Sequence, residues 1–365
     1  MADALDQIPK PSKIEKSKYL DKGSLPIVDQ GEGIVGGYTN DSSLAYQGKL
    51  PVIVFGDHTC RLKYVSFPFV AGADGTQVIR PKHDWLPRYF YYCLLATDLK
   101  HFGYQRHFKL LKEKLVPHRP IPVQRKISTV LAAYDELIDN NRQRIELLEE
   151  MAQAVYRESF SSREWRLGPV GGLGEVMTGT TPQLSRPELF GNKAPFITPS
   201  DLAGSRFVRT ARGISSEALR VFERRLVPEG AVCFTCIGSV GKMCMTDKTS
   251  LTNQQINSVV ASTPALSLFA YQHLKHHALL IGSYAGGVAT PIISKSVFSA
   301  IEIPMPPKDL QEAFGKTVSP FDAMVRLLNE LNSNLRSTRD LLLPKLISGD
   351  LDVSDLDIDT DWLVA

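Results

Sequence analysis

The sequence predicts an α+β protein in which two mixed α/β modules form a pseudo-twofold repeat, separated by an antiparallel coiled coil of two long helices. Three observations lead to this prediction. A central stretch has neither glycine nor proline between Pro122 and Gly168. A stretch with related spacing lies 187 residues further on, with Phe314 at the position of Ile127. Each stretch follows a segment of short apolar runs and turn residues, which is typical of a mixed α/β module.

The first long stretch has the heptad pattern of a helix that packs along another helix. Apolar side chains recur from Ile127 in alternating steps of four and three, and Asn141 is the polar exception. The flanking positions, such as Asp135 and Glu136, are charged, as expected for the solvated face of a helix. The predicted seam consists of Ile127, Leu131, Tyr134, Ile138, Ile145, Leu148 and Val155.

The second long stretch repeats this seam, with Asn332 and Arg339 as its polar positions. Its predicted apolar members are Phe314, Val318, Phe321, Val325, Leu328, Leu335 and Leu342. Pro320 interrupts the pattern, so we expect a fresh helix to start there after a cap at Ser319. Because neither helix can bury its apolar stripe alone, we expect the two to pack on each other. A coiled coil that serves only homodimerisation is the alternative at this stage.

The remaining sequence predicts strands and shorter helices. In the first module LPVIVFGD and TQVIR predict strands, and WLPRYFYYCLLATDL predicts a helix. In the second module VPEGAVCFTCIGSVGKMCM predicts two buried strands joined by a glycine turn, and LFAYQHLKHHALLI predicts a helix. Each module is therefore predicted to have a twisted, mostly antiparallel sheet and one or two helices.

Length and composition indicate a soluble protein of two domains. A chain of 365 residues can bury two cores, and its 43% hydrophobic and 22% charged residues are typical of globular proteins. No apolar run approaches the length of a membrane span, so we expect no contact with a membrane. Five cysteines, an odd number, predict reduced thiols and a cytoplasmic protein.

Charge is distributed unevenly along the chain, although the net charge is only +3. Residues 100–126 include eight basic residues and one acidic residue, and residues 193–225 include seven basic and three acidic residues. The segment 349–365 has six aspartates and no basic residue. Two basic zones, one in each half, favour a protein that binds a polyanion at two places. The alternative for each zone is an ordinary solvated surface.

The sequence contains no convincing catalytic motif. GSVGKM lacks the spacing and the Ser or Thr of a phosphate-binding P-loop, and no glycine-rich methyl-donor loop is present. Cys233 and Cys236 are three apart on a predicted strand, so they point to opposite faces and are predicted to be buried thiols, not metal ligands. His273 and His277 lack a third ligand and are predicted to be surface residues. This favours a recognition or assembly subunit over an enzyme.

With these features together, the chain resembles the specificity (S) subunits of type I restriction–modification systems. In the second half, TGTTPQLSRPELFGNKAPFITPSDL is similar to the family's opening segment. GAVCFTCIGSVGKMCM with TNQQINSVV is similar to its central strands, and GGVATPIISKSVFSAIEIPMPP to its exit into the helix. GYQRHFKLLKEKLVPHRPIP in the first half resembles another version of the same module, which lacks a counterpart of TGTTP.

The resemblance implies a DNA-recognition subunit without an active site. Each of two target-recognition domains would read one half of a bipartite, asymmetric site in double-stranded DNA, and the helices would set the non-specific spacer between the halves. Two methyltransferase subunits would dock on the helices and bind the methyl donor, so the chain needs no cofactor of its own. Endonuclease subunits would join for cleavage. The expected divisions are 1–120 and 163–303 for the recognition domains, 121–162 and 304–348 for the helices, and 349–365 for an acidic tail.

Side chains able to read base edges or hold phosphates are the candidate DNA contacts. In the first half these are Gln105, Arg106, His107 and Lys109; in the second half they are Thr180, Thr181, Ser200, Arg206, Arg209, Lys242 and Thr290. A structural or surface role is the alternative for each. For the whole chain, the alternatives are a coiled-coil interaction scaffold without DNA binding and a stand-alone enzyme.

Overall fold

A computed structural model describes residues 1–73, 75–97, 107–161, 164–202, 204–287 and 290–362. The chain divides into two compact units. Unit 1 comprises Met1–Asp139 and Ser333–Ala365, and unit 2 comprises Asn140–Asn332. The boundaries fall inside the two long helices, so each helix contributes one half to each unit. The predicted α+β class with two repeats is confirmed.

Helices and strands are numbered here along the chain. The α-helices in the described ranges are α1 Pro87–Leu95, α2 Phe108–Glu113, α3 Ile121–Phe160, α4 Ser216–Val221, α5 Pro264–His276, α6 Ala278–Ser283, α7 Lys295–Ala300 and α8 Lys308–Ser348. The strands of unit 1 are β1 Lys13–Ile14, β2 Leu25–Val28, β3 Gly37–Thr39, β4 Val52–Gly56, β5 Leu62–Val65, β6 Val70–Gly72 and β7 Thr76–Ile79. Those of unit 2 are β8 Leu167–Pro169, β9 Glu175–Thr178, β10 Phe190–Ile197, β11 Arg212–Ile214, β12 Val232–Thr235, β13 Met243–Met245, β14 Leu251–Thr252, β15 Ile256–Val260 and β16 Glu302–Pro304.

Unit 1 contains two sheets, in the strand orders β1-β6-β2-β3 and β5-β4-β7. The second sheet is antiparallel, whereas β6 pairs in parallel with both β1 and β2. The strand β4 is buried along its whole length. Its Phe55 packs with Tyr89 and Phe90 of α1 and with Ile127 and Leu131 of α3 in one apolar cluster. This cluster joins the sheet to the helices of the same unit.

Unit 2 contains a four-stranded antiparallel sheet in the order β13-β12-β15-β9, a three-stranded sheet β11-β10-β14 and a β16-β8 pair. The largest apolar cluster of this unit combines β12 and β15 with α5 and with the halves of α3 and α8 that belong to the unit. Its members include Phe234 of β12, Phe269 of α5 and Phe314 of α8. Gly315 allows α8 to approach α5, because a Cβ there would lie 2.0 Å from the carbonyl oxygen of Ala265. The predicted antiparallel character holds for the main sheet, but each module has more than one sheet.

The halves of α3 and α8 run antiparallel within each unit. In unit 1, Asp135 of α3 binds Arg339 of α8, with 2.6 Å between Oδ1 and Nη1. In unit 2, Asn141 lies opposite Asn332, and Phe160 lies opposite Phe314 with ring centroids 5.7 Å apart. From one contact to the next, the residue number increases along α3 and decreases along α8, as expected for antiparallel helices. Buried members of the predicted seam are Ile127, Leu131, Ile138, Phe314, Val318, Val325 and Leu328, and half-buried ones are Tyr134, Ile145, Leu148, Val155, Phe321, Leu335 and Leu342.

The expected restart of the second helix at Pro320 is wrong. Helix α8 is continuous from Lys308 to Ser348, and no cap forms at Ser319. Pro320 is exposed, so its ring lies on the solvent side of the helix. The helix loses one backbone hydrogen bond at this position because proline has no N–H. Packing of the other face against unit 2 offsets that loss.

The acidic segment after Gly349 folds onto unit 1. Val353 is buried and Ile358 packs against the same apolar cluster as Phe55. Lys126 donates from Nζ to the carbonyl oxygen of Ser354 at 2.6 Å. The six aspartates of this segment are exposed. No described helix combines the length and apolarity that a membrane crossing requires.

Candidate nucleic-acid interface

In unit 1, the two predicted DNA contacts within the described residues, His107 and Lys109, lie at the start of α2. Gln105 and Arg106 fall outside the described residues. His107 is fully buried, and its Nδ1 lies 2.9 Å from the carbonyl oxygen of Asp57. The Asp57 carboxylate also accepts from the backbone N–H of Phe108 at 2.7 Å. His107 therefore positions the start of α2, and we remove it from the candidate contacts; Lys109 is exposed on the same helix.

In unit 2, Thr180 and Thr181 follow the end of β9. The N–H of Thr180 donates to the carbonyl oxygen of Thr252 at 2.8 Å, and the Thr181 hydroxyl contacts the exposed side chain of Gln254. Gly179 permits this close approach, since a Cβ there would lie 2.2 Å from the carbonyl oxygens of Thr252 and Asn253. The result is an exposed polar edge at the end of the main sheet.

Arg225 and Gln254 belong to this edge, although we did not select them from the sequence. Arg225 is exposed and lies beside the end of β9, with its Nη1 3.4 Å from the carbonyl oxygen of Thr178. The basic zone 193–225 included this arginine, but charge counting cannot tell which member faces the strand ends. Gln254 has no separate signal in the sequence.

Ser200 and Arg209 are exposed on the loop that joins β10 to β11. Asp201 holds the loop together, because its carboxylate accepts from the N–H of Thr198 at 2.8 Å and from that of Ala211 at 3.2 Å. The side chains of Ser200 and Arg209 are thus carried on a braced loop.

Arg206 lies on the same loop but is buried, with only 5% of its surface exposed. Its guanidinium binds Glu149 of α3 and Asp322 of α8. Burial acts to lower the pKa of Arg206, but Glu149, Tyr271 and Asp322 outweigh it and the net shift is upward. Because this charge is already neutralised inside the unit, we remove Arg206 from the candidate DNA contacts.

Lys242 and Thr290 are exposed on two neighbouring loops. The turn between β12 and β13 has Gly238 and Gly241 with φ of +75° and +96°, a backbone region that favours glycine. The N–H of Gly238 donates to the carbonyl oxygen of Pro291 at 3.0 Å, which ties the two loops together. The structure therefore brings Lys242 and Thr290 to one end of unit 2.

The buried thiols and the histidines of unit 2 have structural surroundings. Cys233 and Cys236 lie in different apolar clusters, and burial raises the pKa of Cys236 to about 11. The surface prediction for His273 is wrong: its ring is buried, and its Nδ1 lies 2.7 Å from the Tyr156 hydroxyl. Burial first, and then His277 and His276, lower the pKa of His273 to about 3. Among the described residues, no cluster of three His, Cys, Asp or Glu side chains could hold a metal ion.

The sequence matches the model of one protein family in both halves. That family is described as the type I restriction modification DNA specificity domain, and the matches cover residues 6–150 and 162–337. The chain belongs to this family. The two matches coincide with the two repeats inferred from the 187-residue shift.

Named relatives of this specificity-domain protein are specificity subunits. It is 34% identical over 194 residues to the HindI specificity subunit of Haemophilus influenzae, covering 52% of this chain but only 42% of that one. It is 23% identical over 341 residues to the EcoR124I/EcoR124II specificity subunit of Escherichia coli, covering 87% of this chain and 84% of that one. A solved S subunit from M. genitalium shares the fold, with a TM-score of 0.55, 17% identity, and coverage of 95% and 94%.

Proposed function

We propose that this chain is the DNA sequence-specificity subunit of a type I restriction–modification complex. In this proposal it reads a bipartite, asymmetric site, with one half read by the module within 1–120 and the other by the module within 163–303. The observation that carries the proposal is the match of both halves to a DNA specificity domain. Two copies of a reading module on one chain are what a split recognition sequence requires.

Exposed polar and basic side chains in both units support the reading role. Unit 1 offers Lys109 on α2. The unit 2 set comprises the half-buried Thr180 and the exposed Thr181, Ser200, Arg209, Lys242 and Thr290, to which we add the exposed Arg225 and Gln254. These residue types donate to phosphates or read base edges. Lysines and arginines on such a surface also make the affinity for DNA depend strongly on salt.

Helices α3 and α8 offer a surface for protein partners. Large apolar side chains remain exposed on α3 at Leu137, Leu147 and Met151, and on α8 at Met324, Leu327, Leu331 and Leu341. Apolar side chains exposed in groups are typical of interaction sites. Because members of this set occur in both units, we assign one methyltransferase subunit to each, and endonuclease subunits would join through these.

In this proposal the chain has no catalytic role. Four of its five thiols are buried and Cys60 is half-buried, while the buried ring of His273 packs on Phe269 and contacts the Tyr156 hydroxyl. The methyl donor and the reacting adenine or cytosine would be held by the methyltransferase subunits. The specificity subunit would contribute only the choice of site.

Methylome sequencing of cells that express this chain with the methyltransferase of its system tests the proposal. We expect one split motif with a constant spacer, absent from cells that express the methyltransferase alone. Lys109→Ala should weaken methylation through one half-site, and Arg209→Ala through the other. A chain that binds the methyltransferase without directing any methylation would instead be a protein scaffold, and the proposal would be wrong.

A further inference from the structure

A buried arginine joins the β10–β11 loop of unit 2 to both long helices. The Nη1 of Arg206 donates to Asp322 Oδ1 on α8 at 2.9 Å. Its Nη2 donates to Glu149 Oε2 on α3 at 2.9 Å, and its Nε lies 2.6 Å from Oε1 in an ion-pair contact. The arginine side chain is only 4% exposed. One side chain from the globular part of unit 2 thus holds both helix halves of that unit.

Tyr271 and Arg326 add further contacts around this ion pair. Its guanidinium lies over the ring of Tyr271, 4.9 Å from the centroid. The second oxygen of Asp322 accepts from Nε of Arg326 at 2.8 Å, and the Arg326 guanidinium lies 4.4 Å from the centroid of Phe207. A planar guanidinium held by two carboxylates at fixed angles has one favourable orientation, unlike a lysine ammonium.

The loop that carries this buried anchor also carries two of the exposed candidate DNA contacts. Arg206 lies between Ser200 and Arg209 in the sequence, and Asp201 closes the loop by accepting from the N–H of Thr198. The loop is therefore fixed at its middle to the helices and braced at its start. A reading surface built in this way cannot pivot on the helices without breaking a buried ion pair.

The repeat supplies an equivalent anchor in unit 1. Asp135 and Asp322 occupy the same position in the two long helices, 187 residues apart. Asp135 accepts from the Tyr92 hydroxyl of α1 at 2.6 Å and from Nη1 of Arg339 on α8 at 2.6 Å. In each unit, this aspartate lies where the globular part and the two helices meet.

We propose that Arg206 is a positioning residue that fixes the orientation of the unit 2 reading surface on its helices. Through that orientation it sets the spacer length that the complex accepts between the two half-sites. The inference rests on the proposed function. In this inference the buried ion pairs determine which spacer lengths are accepted, whereas exposed side chains determine which bases are read.

The test uses Arg206→Met in the full chain, expressed with the methyltransferase of its system and followed by methylome sequencing. Methionine fills similar space without charge. We expect both half-motifs to be unchanged, while methylation at sites with a spacer one base pair longer or shorter rises at least about tenfold relative to correct sites. A tenfold change corresponds to about 1.4 kcal/mol. Arg209→Met, on the same loop but exposed, is the matched control and should lower methylation while keeping the strict spacer.

A second variant controls for misfolding of Arg206→Met, in which the carboxylates of Glu149 and Asp322 stay buried without their arginine partner. Removing one partner of a buried ion pair is strongly destabilising. Glu149→Gln/Arg206→Met/Asp322→Leu removes the carboxylates as well and should restore methylation with a relaxed spacer. Strict spacer selection in either methylating variant overturns the inference, and so does altered base choice in the second half-motif. Continued loss of methylation in the triple variant also overturns it, because Arg206 would then be needed for more than positioning.

Failure of the inference can be told apart from failure of the proposed function. If the wild-type chain directs no split motif, the proposed function is wrong and the inference falls with it. If the wild-type chain gives a split motif and Arg206→Met keeps the same strict spacer, only the inference is wrong.

Discussion

Two asparagines interrupt the apolar seam of unit 2 and bind each other. The Nδ2 of Asn141 donates to Oδ1 of Asn332 at 2.9 Å, and both side chains are buried. Both positions were visible in the sequence as polar exceptions to the heptads, but only the structure shows that they are opposite one another. A buried polar pair in a coiled coil favours one register, because any other register separates the two amides.

Asn332→Leu should therefore destabilise unit 2 by about 1–3 kcal/mol, since the buried amide of Asn141 loses this partner. The double variant Asn141→Leu/Asn332→Leu should recover most of that loss, because both polar groups are replaced by apolar ones. Urea unfolding of the four chains of this cycle provides the measurement. Additive losses in the double variant would show that the two amides do not stabilise each other.

The neutral, buried His273 predicts a dependence of stability on pH. Its folded pKa of about 3 lies below its ordinary value of 6.5, so protons bind more tightly to the unfolded chain. Its contribution is fully present above about pH 6.5 and is lost as the pH falls towards 3. The loss is at most about 1.4 kcal/mol per pH unit. His273→Phe should reduce the slope of unfolding free energy between pH 6.5 and 4, and an unchanged slope would contradict the assignment.

The individual candidate DNA contacts were the part of the site least accessible from the sequence. Arg206 and Arg209 are three residues apart with the same chemistry, yet one is buried between carboxylates and the other is exposed. That difference depends on Glu149 and Asp322, which are distant in the chain. A basic zone can be counted in a sequence, but which of its charges are neutralised inside the fold cannot.

The long helices could be predicted because a heptad pattern is local. Residues 127–155 and 314–342 alone define the seam, and α3 and α8 cover both segments. Short strands such as β14 and β11 were missed, since two or three residues have no periodicity to detect. The sequence predicts one helix over LFAYQHLKHHALLI, whereas α5 ends at His276 and α6 starts at Ala278.

Pro320→Ala tests the continuity of α8. The substitution restores an N–H that can bond to the preceding turn on an exposed face, so we expect unit 2 to gain about 1–3 kcal/mol in unfolding free energy. Pro307→Ala, just before the first residue of α8, is the matched control and should change stability by less than about 0.5 kcal/mol. Thermal or urea unfolding measures both. A loss of stability in Pro320→Ala would mean that the ring itself makes a favourable contact.

For the whole molecule, the proposed function predicts that the length of the paired helices controls the spacer. Helix α3 has 40 residues, and at 1.5 Å per residue it is about 60 Å long. Both halves of the chain match the specificity-domain family, so two readers joined by helices of fixed length would accept one separation of half-sites.

Inserting four residues, about one turn, near the middle of α3 should change the spacer of the methylated motif and leave both half-motifs intact. Methylome sequencing of the insertion variant measures this directly. A four-residue insertion in the exposed turn between β12 and β13 is the control and should leave the spacer unchanged. If the α3 insertion kept the original spacer, helix length would not set the separation of the half-sites.

The division of the chain into units has a consequence for biosynthesis. Unit 2 is one continuous segment, Asn140–Asn332, whereas unit 1 needs Ser333–Ala365 to complete the cluster that contains Leu346 and Val353. During synthesis, residues 1–139 of unit 1 are made before unit 2, and residues 333–365, which complete unit 1, are made after it. The second module can therefore close its core as soon as its own segment is made, while the first keeps its apolar face uncovered until residues 333–365 follow. Nascent chains stalled before residue 333 should for that reason recruit chaperones to the earliest part of the polypeptide.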